Sequence, residues 1–376
     1  MDEMGLGDPD DVLRDGMIPV SPEGIGGSGI KTLPKPRCGR WKDMSDPQEP
    51  VRVDPGRPPA APGAEARART VRLRYYLGEV PLFSVGFELC VLSTHFTRLG
   101  KSPEETRRAL EEKAPPAEGI LLRSHPVGER LPRVSRTEAF VRYVPSQYER
   151  RYIDMTGTFD EYLKRFSSKS RSTLRRKVRK YGQLCGGEPD WRTYRTPAEM
   201  EEFYRLAREV SRKTYQERLL DAGLPESDEF KAEMLRAAER DDARAYLLFH
   251  EGRPVAYLHC PIHDGVVFYG YLGYDPEYAK WSPGTVLQHL ALEKLFTEAD
   301  LRMFDFTEGE GAHKSFFSTH SVLCADIYYL KRSLRNRCLV RFHSGLDSFS
   351  RAMVRLLDRL GLKERIKRLI RRGGQR

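Results

Sequence analysis

Two rhythms of apolar and polar positions alternate along this chain. Period-two runs bounded by turn residues predict strands over 190–195, 245–249, 255–262, 266–274, 301–306 and 322–330. Glu251-Gly252-Arg253-Pro254 and Asp264-Gly265 sit between three of them, as hairpin turns require. Helical spacing through Met200, Phe203, Leu206 and Val210, opened by Thr196-Pro197, predicts a helix reaching about residue 220. Ser227-Asp228-Glu229 starts another to about residue 240, and Pro283 starts a third, to about residue 298. The order from residue 190 is strand, two helices, three hairpin-linked strands, helix, strand, short helix, strand. Upstream, strands over 83–92, 119–123 and 139–144 flank a helix started by Ser102-Pro103-Glu104-Glu105. Fold class is therefore α+β.

The first seventy residues break both rhythms. They hold Gly24, Gly26, Gly27, Gly29, Pro55, Pro58, Pro59 and Pro62 and no sustained apolar period, so residues 1–70 are expected to be disordered. The remainder, within 376 residues at 39% hydrophobic content, suffices for two modest domains or one large one. No apolar run approaches the roughly 20 residues of a membrane span, and no secretory signal is expected at the acidic N-terminus. Cys38, Cys90, Cys185, Cys260, Cys324 and Cys338 are scattered without a Cys-x-x-Cys pair, so neither a metal site nor a disulfide framework is expected, and the cytoplasm is the expected compartment.

Charge alters this picture at two places. Of a formal net charge of +10, residues 336–376 supply twelve Lys and Arg against Asp347, Asp358 and Glu364. Phe342, Leu346, Phe349, Met353, Leu356 and Leu360 recur at helical steps through that tail, while Arg351, Arg355 and Arg359 fall on other faces. Such a basic amphipathic helix fits an anionic membrane surface or a docked C-terminal helix with a solvated basic side, and both readings stay open. Mid-chain, Thr158-x-x-Glu161 is a capping box expected to start one helix carrying Lys164, Arg165, Lys169, Arg171, Arg175, Arg176, Lys177, Arg179 and Lys180. It suits either a solvated linker or a phosphate-bearing partner, with Arg171 and Arg175 as substrate contacts.

Residues 266–317 concentrate the candidate chemistry. Tyr269, Tyr271 and Tyr274 line a strand, Trp281-Ser282-Pro283-Gly284-Thr285 opens a helix, and Phe304-Asp305-Phe306 leads through Gly309 and Gly311 to Lys314. Ser282 is expected as N-cap, Pro283 fits the first helical position, and Gly284 lets a ligand approach free amides; diphosphate is the natural occupant. His259 and His263 lie near enough to share a cleft, although a satisfied structural histidine is the commoner outcome. No Ser/His/Asp or Cys/His order points to a covalent intermediate.

These residues resemble the GNAT acyltransferase superfamily, and within it the branch of FemAB-type ligases and CelD-like (BioF2-like) acyltransferases. The resemblance rests on Lys169-Ser170-Arg171-Ser172-Thr173-Leu174-Arg175-Arg176-Lys177, Gly273-Tyr274-Asp275-Pro276-Glu277-Tyr278-Ala279, the Ser282 to Thr285 turn, and the block from Phe304 to Lys314. It covers about two thirds of the chain, and the single Gly284 departs from the Arg/Gln-x-x-Gly-x-Gly/Ala turn of ordinary GNAT enzymes. It implies the GNAT fold, a mixed, mainly antiparallel sheet flanked by helices, in two tandem GNAT-like halves: a degenerate one at 71–157, a basic connecting helix at 158–186, the acyltransferase domain at 187–334 and the basic tail at 335–376. It also implies acyl-CoA as co-substrate, with no permanently bound cofactor. Tyr271, Gly273, Tyr274, Ser282, Gly284 and Thr285 would hold the donor; Tyr269 and Asp275 would join the substrate contacts. Asp305 is the expected polar anchor or base, Glu308 the alternative base, and Lys314 the group stabilising the leaving thiolate or orienting the acceptor. The implied reaction is N-acylation of an envelope glycan or lipid amine, such as an amino sugar or sphingoid base, at the inner membrane face. An aminoacyl-tRNA-dependent ligase and a non-catalytic polysaccharide-assembly protein are the alternatives.

Overall fold

The computed structural model describes residues 30–32, 66–77, 80–93, 95–113, 118–214, 223–309 and 311–359. In chain order the strands are β1 (Ile30–Thr32), β2 (Ala66–Leu77), β3 (Val80–Ser93), β4 (Gly119–Pro126), β5 (Val134–Arg136), β6 (Phe140–Asp154), β7 (Asp190–Tyr194), β8 (Ala243–His250), β9 (Arg253–His263), β10 (Val266–Phe268), β11 (Tyr271–Tyr274), β12 (Met303–Asp305) and β13 (His320–Lys331). The α-helices are α1 (Pro103–Lys113), α2 (Phe159–Lys164), α3 (Ser168–Leu184), α4 (Pro197–Ser211), α5 (Asp228–Glu239), α6 (Pro283–Leu295), α7 (Ala312–Phe317) and α8 (Leu334–Arg359). The mixed, mainly antiparallel sheet flanked by helices is the expected architecture. Most of the N-terminal stretch expected to be disordered lies outside the described residues, but β2 begins at Ala66, within it.

The chain divides into two compact units. The first joins residues 63–147 to 323–376. In it β2 pairs antiparallel with β3, β3 parallel with β4, and β4 antiparallel with β13. Helix α8 lays Val340 fully inside a core with Leu73, Tyr75, Phe87 and Leu330. This face is only in part the stripe expected from the sequence: Leu346 packs against the core, but Phe342 and Phe349 are exposed, while Asn336 and Ser350 are buried. Side-chain pairing explains the rotation. His343 hydrogen-bonds the Tyr143 hydroxyl and the Arg74 carbonyl, and Asp347 pairs with Arg133, so these two side chains find polar partners on the inward side.

The second unit, residues 30–62 and 148–322, carries the candidate site. Its strands β8 and β9 are buried between two helical layers. Along β8, Ala245, Leu247 and Phe249 face Met200, Phe203 and Ala207 of α4 and Phe230 and Met234 of α5. The intervening Tyr246 and Leu248 join Leu174 and Tyr181 of α3 and Val286, Leu287 and Ala291 of α6. Seven of the eight β8 residues are thus buried, because the strand is covered on both faces.

Two predicted elements break. The helix expected to run from Thr158 through Lys180 is two helices: the Thr158/Glu161 capping box starts α2, and the Ser167 hydroxyl accepts from the Ser170 amide to start α3. Buried Phe166, stacked edge-on against Tyr162, anchors the corner between them. The strand expected over 266–274 is interrupted at Tyr269 and Gly270, dividing β10 from β11. Helix α4 ends at Ser211, short of residue 220; residues 215–222 lie outside the described residues.

Candidate active site

The site forms where two parallel strands part. Strands β10 and β12 run parallel in register from Val266↔Met303 to Phe268↔Asp305. A last bond, from the Tyr269 amide to the Asp305 carbonyl at 2.8 Å, closes the pairing. Beyond it the Gly270 amide turns to the His259 carbonyl and β11 follows β9, while the Phe306 amide turns to the Arg151 carbonyl and follows β6. Gly270 fits this switch because a Cβ there would meet the His259 carbonyl oxygen at 2.9 Å. Tyr271 to Tyr274 and the start of α6 lie on one side of the opening, and Phe306 to Lys314 on the other.

Asp305 sits at the apex of that opening, wholly buried. Arg150 of β6 donates through Nε to Oδ2 at 2.9 Å and to Oδ1 at 3.2 Å, and through Nη2 to Oδ2 at 2.6 Å. The Thr307 amide donates to Oδ1 at 2.7 Å. Both carboxylate oxygens are therefore engaged, which suits an anchor better than a proton acceptor. Thr307 itself has φ +60°, rare for a β-branched residue, and the Asp305 carboxylate holds its amide there.

Lys314 is buried on α7 and donates to the Glu308 carbonyl at 2.6 Å. Burial lowers its pKa to about 8, against the opposing pull of Asp305 and Glu308, with Arg150 adding to the depression. Glu308 lies half-buried on the loop between Thr307 and Gly309. Tyr269 packs on Phe306 and His313 with ring centroids 5.6 Å from each. Burial, then the Lys314 charge, lowers His313 to about 4, so it is neutral at physiological pH.

The turn into α6 differs from expectation. Ser282 adopts the left-handed conformation, φ +56° and ψ +48°, and its side chain makes no capping bond. It closes the 3-10 helix Pro276–Trp281, its amide donating to the Ala279 carbonyl, and that task sets its backbone. The Gly284 and Thr285 amides are consequently not occupied by the Ser282 hydroxyl. Gly284 serves packing: a Cβ there would lie 3.1 Å from Leu272 and 3.3 Å from Tyr274. Gly273 likewise backs onto the Tyr257 ring, 2.5 Å from where a Cβ would stand.

Other expected contacts have structural partners. Asp275 caps the 3-10 helix through the Glu277 amide and pairs with Lys213 at 2.9 Å. On α3, Arg171 is half-buried and Arg175 exposed. Among the described residues none of Lys169, Arg171, Arg175, Arg176, Arg179 and Lys180 forms an ion pair, so the helix presents uncompensated charge. His259 is buried against Phe203, Phe230 and Tyr271, and neither ring nitrogen finds a partner among the described residues. Sequence reasoning missed Arg150 and Thr307; no local signal marks either one.

Residues 168–315 match the family model described as an acetyltransferase (GNAT) domain. Among solved structures the chain is similar to a conserved protein of unknown function from Bacteroides thetaiotaomicron VPI-5482, at 12% identity over 71% of this chain and 84% of that one, TM-score 0.44. It is similar also to FemX, at 13% identity over 75% and 89%, TM-score 0.43. A third is L-PGS from Bacillus licheniformis, at 13% identity over 72% and 87%, TM-score 0.40. No curated protein matches the sequence.

Proposed function

We propose that this protein, whose residues 168–315 match a GNAT-type acetyltransferase domain, transfers an acyl group from acyl-CoA to an amine on an envelope glycan or lipid precursor at a membrane face. The observation that carries the reading is the parting of β10 and β12 beside the start of α6: a strand edge, a helix N-terminus and a buried cation converge on one opening. The Gly284 and Thr285 amides would receive the diphosphate, assisted by the α6 dipole and the cations of α3. Backbone amides from Tyr271 to Tyr274 would hold the thioester carbonyl as negative charge develops on it.

The neutral acceptor nitrogen attacks the carbonyl carbon, the C–S bond breaks, and the amine proton leaves to a base. Asp305 is committed to Arg150 and the Thr307 amide, so Glu308 is the better base and Asp305 fixes the loop that presents it. Lys314, protonated at neutral pH, would stabilise the departing thiolate.

Purified protein given an acyl-CoA and an amine-bearing envelope extract is expected to release free CoA thiol, and Lys314→Ala and Asp305→Ala to lose most of that release. A folded protein that releases none but consumes charged tRNA would overturn the reading in favour of an aminoacyl ligase. The unpaired basic face of α3 is the observation favouring that second reading, since tRNA would neutralise it.

A further inference from the structure

The first unit collects exposed apolar side chains in one place. Leu77, Leu82 and Phe83 on the β2–β3 hairpin and Phe342 and Phe349 on α8 are 37–58% exposed. They belong to touching elements. Phe83 stacks on Tyr75 with centroids 4.4 Å apart, and Phe342 lies 6.1 Å from Phe83 and 5.8 Å from Tyr75. Arg335 sits over Phe87 and Phe342 beside Phe83, so α8 runs along the hairpin toward its turn, and Phe349, two turns on, extends the patch that way. Monomeric surfaces scatter such residues; a continuous aromatic cluster marks a binding face.

We propose that this face inserts into a bilayer carrying anionic headgroups. Charge selects that occupant. Helix α8 sets exposed Arg341 next to Phe342. Twelve Lys and Arg against three acids continue through residues 336–376. Aromatic rings at headgroup depth, rimmed by cations that meet lipid phosphates, form the composition of an interfacial anchor. The inference adds a built apolar surface to the membrane-facing part of the proposed function, and it is separable from the transfer reaction.

The test is vesicle flotation with phosphatidylcholine alone and with phosphatidylglycerol added. The full chain is expected to float with the anionic vesicles and to lose about tenfold in partition in the double variant Phe342→Ser/Phe349→Ser, at unchanged thermal midpoint and unchanged CoA release with a soluble amine. Phe349→Trp fluorescence is expected to be quenched by lipids brominated on the acyl chain. Full binding by the double variant with an unquenched tryptophan would reduce the contact to charge alone and overturn the proposal. So would a full chain that ignores anionic vesicles, or a dimer that the double variant dissociates without change in flotation. Vesicle binding without CoA release would refute the transfer reading and leave this one standing.

Discussion

Lys314 holds its proton less firmly than an exposed lysine does, and that makes the site sensitive to mildly alkaline pH. Burial lowers its pKa from 10.5 to about 8. If the cation stabilises the leaving thiolate, kcat at saturating acceptor falls about tenfold per pH unit above 8. Lys314→Arg is expected to abolish that descending limb, because a guanidinium keeps its charge. A rate that instead climbs through pH 9 would make the neutral amine the active form. Stability moves the other way. Between pH 8 and 10.5 the unfolded chain binds more protons at this position than the folded one, so folding becomes more favourable as pH rises through that window, which urea melts would detect.

The elements show which local rules hold and which tertiary structure overrides. The hairpin turns were legible because Glu251-Gly252 and Asp264-Gly265 both adopt positive φ, the conformation a two-residue turn demands. Thr196 and Ser227 cap α4 and α5 as their sequence neighbours suggest. Ser282 defeats the same rule, since a preceding 3-10 helix fixes its backbone before its hydroxyl can reach the α6 amides. The two accounts give opposite results for one substitution. As a lost cap, Ser282→Gly would cost a few tenths of a kcal/mol; as relief of a left-handed serine it is expected to stabilise by about 0.5–1 kcal/mol, read as a raised thermal midpoint. The break at Gly270 was not legible, because it depends on β9 and β6 drawing neighbouring strands apart.

Across the whole molecule, buried histidines link folding to acid. Burial lowers His259 and His289 from 6.5 to about 4, the charge of Arg175 adding to the effect at His289, and His313 behaves alike. Between those values the unfolded chain takes up protons that the folded chain refuses, so stability present at neutral pH is lost as pH falls from 6.5 toward 4. Urea melts at pH 7 and pH 4.5 are expected to differ by several kcal/mol, with His259 alone contributing at most about 3 kcal/mol. His259→Phe fills the same aromatic cluster without an unpaired ring nitrogen, and is expected to flatten part of that dependence. The sequence placed Asp305, Lys314 and Glu308 on one strand and its loop, yet it contained no sign that Arg150 completes them. The signal is absent because the partners meet only through the pairing of β6 with β12.

That pairing also sets a schedule. Arg150 and Asp305 stand 155 residues apart in sequence and are buried against each other. While the chain is being made, Arg150 lacks the Asp305 carboxylate until the segment holding it emerges, so the pair that ties β6 to β12 cannot close early. The centre of the opening is therefore assembled late, after the hairpins of β8, β9 and β10 have formed from local turns. A chain interrupted before residue 305 would keep those hairpins and lack the strand that joins them to Arg150.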